Sequence, residues 1–147
     1  MGFCLRQWSL FGRRSSLQAR RNEAQTVFDK FLTAFTAADI DNVVGVFWPD
    51  ALFWGPTAPN LANTSEAVRE YFKPVSGRKP NEMRATSLER SALVVSDSVV
   101  LISGPWQIER VVDGKLTLTL LRVSLAVTRR GEAWRVAQFH SSAQPSR

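Results

Sequence analysis

The sequence predicts an α+β domain, a curved, mostly antiparallel sheet wrapped around a long N-terminal helix, three helices in all, leaving a cone-shaped barrel open at one end. Three observations predict it. Helix-like periodicity is confined to the chain before Asn81, four strand-like segments follow in succession, and the third of these is apolar on both faces. The helices can cover only one face of the sheet. A second sheet over the other face implies a partner subunit.

A chain of 147 residues with 44% hydrophobic and 22% charged residues holds a single globular core. Its one cysteine, Cys4, can form no internal disulfide and no zinc site, and its place near the start makes it a tail residue rather than a nucleophile. The net charge of +6 suggests a nucleic-acid partner until it is divided along the chain. Residues 1–22 hold Arg6, Arg13, Arg14, Arg20 and Arg21 and no acid, so five of the six net charges sit there. The body is nearly neutral, and without a basic docking face no nucleic-acid partner is expected. No apolar run is long enough for a membrane span.

Residues 1–21 read as a basic tail without its own fold, or as an organelle transit peptide, since they are Arg-rich, contain serine and lack acids. The protein is expected in the cytoplasm, or in an organelle matrix if that segment is a transit peptide. One domain is expected over residues 22–145.

From Asn22, Ala24, Val27, Phe28, Phe31, Leu32 and Phe35 recur at helical spacing behind Glu23, which predicts a long amphipathic helix whose aromatic stripe packs into the core. Asp39 caps a short second helix through Val43, Val44 and Phe47 that Pro49 stops. Ala51 to Gly55 is a short strand, and Pro56 and Pro59 keep the next residues irregular. Asn63 or Thr64 caps a third helix with Ala67, Val68, Tyr71, Phe72 and Val75 on its apolar face. Pro74 to Asn81, with Arg78 and Lys79, is an exposed connection. Strands are expected at Glu82–Val94, Val99–Val112, Leu116–Arg129 and Trp134–Ser142, joined by turns short enough for hairpins.

In the last strand, strict alternation puts Trp134, Val136, Gln138 and His140 on one face and Arg135, Ala137, Phe139 and Ser141 on the other. In the strand before it, Arg122 shares a face with Leu118, Leu120, Ser124 and Ala126. A guanidinium on so apolar a face needs a partner, either an internal carboxylate or that of a ligand.

Ala51-Leu52-Phe53-Trp54-Gly55, the helix ending Val68-Arg69-Glu70-Tyr71-Phe72, Arg122 twelve positions before Trp134, and the terminal Phe139-His140-Ser141-Ser142-Ala143-Gln144-Pro145 together resemble the nuclear transport factor two-like superfamily. The nearest branch is that of the SgcJ/EcaC-type and SnoaL-like proteins, related to the association domain of calcium/calmodulin-dependent kinase II. The resemblance spans residues 22–145. It implies a homodimer or higher homo-oligomer through the outer sheet face, and a pocket between sheet and long helix. It also implies an inward-facing arginine.

The expected function is a self-associating pocket protein for a small molecule, one bearing a carboxylate if Arg122 holds it. Its ligand-binding residues would be Trp54, Tyr71, Trp106, Arg122, Gln138 and His140. Two alternatives stand beside it: an isomerase- or cyclase-type enzyme with His140 as acid/base, and a pure oligomerisation domain. Asp50 is read as a solvated or capping residue rather than a base. No His/Asp/Glu cluster suggests a metal, and no glycine-rich loop suggests a phosphate-bearing cofactor.

Overall fold

A computed structural model describes the backbone of residues 5–146 and the side chains of residues 16–146. The elements follow in the order α1 (Leu5–Thr36), α2 (Ile40–Gly45), β1 (Phe47–Trp54), α3 (Ser65–Phe72), a 3-10 turn (Lys73–Gly77), β2 (Met83–Ser87), β3 (Ser91–Ser96), β4 (Val99–Val112), β5 (Lys115–Arg130) and β6 (Ala133–Ala143). The expected α+β order, three helices before a mostly antiparallel sheet, is what the chain adopts. The sheet is not closed into a barrel. Its strands run β1-β6-β5-β4-β2, with β3 also on β4, so β1 lies at one edge and β2 and β3 at the other.

The helix expected from Asn22 begins at Leu5. Over residues 5–21, where the composition predicts a tail, the backbone is therefore continuous with α1, while Cys4 lies outside the described residues. Among the described side chains of α1 the first buried one is Ala24, followed by Val27, Phe28, Phe31, Leu32 and Phe35, which is the stripe the periodicity marks. Asp39 accepts from the Asn42 amide at 3.2 Å and Thr64 from the Ala67 amide at 3.1 Å, so both expected caps form, the second at Thr64 rather than Asn63. Phe47 belongs to β1 and not to α2, because the helix already ends at Gly45.

The stretch Glu82–Val94 makes two strands, not one. Both pair with β4, β3 along Val99–Ser103 and β2 along Trp106–Arg110, and the break falls opposite Gly104 and Pro105. Pro105 explains the interruption. Its carbonyl accepts from Leu88 at 3.2 Å, so the side on which it lacks an N–H faces the break, where the ladder is not needed. Between β4 and β5, Asp113 and Gly114 both take positive φ (52° and 75°), as a two-residue hairpin turn requires.

Phe31 of α1 sits at the centre of the core. The rings of Phe28, Phe35, Phe47, Phe72, Trp106 and Phe139 all lie 5.4–6.2 Å from its own. The helix thus packs on the inner sheet face through aromatic contact, a large apolar burial with defined ring geometry.

Candidate ligand cavity

Which residues face the interior is decided by one irregularity in β6. Val127 is paired with Val136, but the neighbouring Ala126 is paired with Gln138, so Ala137 is an extra residue, a β-bulge. The bulge shifts the phase of the strand. Val136, Phe139 and Ser141 point inward and are buried, whereas Gln138 and His140 point outward and are exposed. The expectation of one face shared by Trp134, Val136, Gln138 and His140 therefore fails beyond Val136.

Arg122 is corrected as well. The inner residues of β5 are Leu121, Val123, Leu125 and Val127, all buried, and Arg122 stands on the outer face with Leu118 and Leu120, both exposed. Its Nε donates to Ser142 Oγ at 3.1 Å. In solvent the guanidinium needs no buried counter-ion. Trp54 is on the same face, 44% exposed, with its indole N–H given to the Ala58 carbonyl at 2.9 Å and its ring 6.2 Å from that of His140. Gln138 lies beside Leu52 of β1. Four of the six expected site residues thus gather on the outer face.

The other two, Tyr71 and Trp106, line a cavity of about 520 Å³ between α1, α3 and the inner sheet face. Trp106 is 3% exposed, and its indole N–H donates to Ser141 Oγ at 3.0 Å while that hydroxyl donates to the Arg122 carbonyl at 2.9 Å. Both buried polar groups are satisfied, which fixes the indole as a rigid wall. Tyr71 reaches Thr57, with 3.1 Å between the two hydroxyl oxygens, and its ring lies where a Cβ on Gly55 would stand. Only glycine leaves that ring its place.

Among the described residues two cations complete the lining, Arg78 and Arg110, and neither belongs to the expected set. The Arg78 guanidinium stacks over Phe35, 4.5 Å from the ring centre. Burial lowers its pKa below the usual arginine value, Arg110 lowers it further, and Glu82 opposes both. Arg110 ends an inward-facing series, Trp106, Ile108 and Arg110, that runs from buried through half-buried to exposed. That alternation was readable in the sequence. Arg78 was not, because the connection around it has no periodicity.

Among the described residues no aspartate, glutamate or histidine lines this cavity. The acid/base expected of His140 is therefore not aimed at the cavity. Asp50 is not there either, being held by Arg130 in a two-point contact at 2.8 and 3.1 Å on the exposed surface. That contact holds its carboxyl below the ordinary value of 3.8. A larger groove, about 770 Å³, runs outside α1 and α2 past Asp29, Lys30 and Asn42; among the described residues Trp134 is its one aromatic, against seven in the inner cavity, which is therefore the candidate site. Among the described residues no three His, Cys, Asp or Glu side chains are placed to hold a metal, and no helix is long and apolar enough to cross a membrane.

A long helix against the concave side of an open, mostly antiparallel sheet, with a cavity between them, defines the nuclear transport factor two-like fold. The family model for the SnoaL-like domain matches residues 24–146, and the chain belongs to that family. Solved structures agree on the fold. A nuclear transport factor two-like protein with a cystatin-like fold from Novosphingobium aromaticivorans superposes with a TM-score of 0.82 at 11% identity, over 100% of this chain and 94% of that one. The association domain of C. elegans CaMKII gives a TM-score of 0.76 at 18% identity, over 87% and 98%. A protein from Streptomyces avermitilis assigned as a dehydratase gives 0.76 at 11% identity, over 88% and 99%. No curated protein matches the chain.

Proposed function

We propose that the protein is a self-associating pocket protein that takes a small, largely aromatic, carboxylate-bearing molecule into the cavity between α1 and the sheet. The observation that carries this reading is the lining. Phe31, Phe35, Phe53, Tyr71, Phe72, Trp106 and Phe139 line a half-open space of ligand size, with few polar groups among them. Tyr71 and Trp106 keep their expected role as walls. Trp54, Arg122, Gln138 and His140 belong instead to the surface through which two copies pair.

That surface is the outer sheet face, where Leu52, Trp54, Leu101, Leu118 and Leu120 are each 40% exposed or more. Side chains of this size exposed together on one face are the usual mark of an interface. The kinship in fold with an association domain supports the same reading. The isomerase or cyclase alternative has the dehydratase as a fold neighbour, but among the described residues it finds no aspartate, glutamate or histidine in the cavity lining.

The test has two parts. Addition of 2-naphthoate raises the melting temperature, and light scattering at micromolar concentration gives the mass of a dimer or larger. Replacing Leu118 and Leu120 together by lysine shifts the dissociation midpoint by about ten-fold or more toward monomer. A wild type that is monomeric and indifferent to naphthoate contradicts both halves. A stable oligomer with no ligand response leaves the pure oligomerisation domain as the function.

A further inference from the structure

We infer that Arg78 and Arg110 form a two-guanidinium clamp at the mouth of the cavity, which receives the carboxylate of a guest whose aromatic body rests on Phe31, Trp106 and Phe139. This deepens the proposed function and rests on the cavity being a ligand chamber; it replaces Arg122 as the carboxylate partner.

The first support is position. Trp106, Ile108 and Arg110 alternate along one face of β4 and pass from buried to exposed, so this face leads from the floor of the cavity to its rim. Arg78 arrives at the same rim from the turn after α3, held flat on Phe35. The aromatic floor and the charged rim make the cavity amphipathic along its depth. A molecule with an apolar body and one anionic end fits in a single direction.

The second support is charge. Among the described residues neither guanidinium is within ion-pair distance of a carboxylate. They lie close enough for Arg110 to disfavour the charged form of Arg78, and the one acid that acts on Arg78 is Glu82. Glu82 is itself engaged, accepting from the Lys79 amide at 2.9 Å. Glu82 stands outside the lining, so among the described residues the rim itself presents two guanidinium forks and no acid. Guanidinium forks meet a carboxylate with paired, charge-assisted hydrogen bonds. Among the described residues the lining offers no lysine, the compact point charge that suits a phosphate group.

Calorimetric titration at low salt tests the clamp with three probes of one shape: 2-naphthoate, neutral 2-naphthamide and 2-naphthyl phosphate. The wild type binds naphthoate about ten-fold or more tighter than naphthamide, the range expected of charge-assisted hydrogen bonds. Arg110→Gln, Arg78→Gln and the double variant abolish that preference, while naphthamide affinity stays within about two-fold, which shows the cavity intact. Arg110 is the safer site, since its side chain is exposed. A preference that survives in the double variant overturns the clamp and leaves the chamber standing. Failure of all three probes to bind the wild type overturns chamber and clamp together. Tighter binding of the phosphate than of the naphthoate overturns the carboxylate assignment.

Discussion

The two faces of β5 and β6 are built from the same strands and made to different standards. On the inner face Leu121, Leu125, Val136 and Phe139 are at most 3% exposed and pack against α1. On the outer face Leu118 and Leu120 stand 53% and 42% exposed, interspersed with Arg122, Gln138 and His140. The inner face has no charge except at the rim, and the outer has no enclosure. A residue's neighbours in sequence therefore say little about its role. Phe139 and His140 are adjacent, yet one is core and the other surface.

That adjacent pair is where the comparison is most easily broken. Phe139→Ala removes a ring in contact with Phe31, Phe47, Phe53 and Trp106 and is expected to cost about 3–5 kcal/mol in urea unfolding. His140→Ala, measured where the protein is monomeric, is expected to change stability by no more than about 0.5 kcal/mol. Comparable losses would mean that the bulge at Ala137 does not set the phase of the strand.

A smaller effect belongs to Gly104, where a Cβ would run into the Glu89 carbonyl and stand 3.0 Å from the Arg90 Cα. Backbone cannot swing aside as a side chain can. Gly104→Ala is expected to cost about 1–3 kcal/mol by the same assay, because it forces apart the close approach that lets β2 and β3 share one edge of β4.

The smallest effect is electrostatic and exposed. The Arg130 contact holds the Asp50 pKa below 3.8, so its stabilisation is present above that pH and disappears as pH falls through the folded value. Both side chains are solvated, and the increment is small. Asp50→Asn should separate slightly from the wild type at neutral pH and coincide with it once the carboxyl is protonated. A gap that widened in acid would refute the assignment.

The fold was legible because its elements are marked by local signals: a helical aromatic stripe, two cap residues, the Asp113-Gly114 turn. Tyr71 and Trp106 were legible as cavity walls for the same reason, each lying on a regular element. What alternation could not supply was the phase of β6, since an inserted residue such as Ala137 leaves no composition of its own. The inward reading of Arg122 failed for a related reason. An apolar strand face is equally a core face or an interface, and only tertiary structure distinguishes them. Arg78 depends on a long-range stack with Phe35 and left no periodic trace.

β1 and β6 are parallel neighbours, yet they lie some ninety residues apart along the chain, with Phe47 aligned to Val136 and Trp54 to His140. Because β6 also fills the gap between β1 and β5, the sheet cannot be joined until the final strand has left the ribosome. Until then two strand edges and the ring cluster around Phe31 stay uncovered, so the nascent chain is at its most aggregation-prone in the interval before β6 emerges.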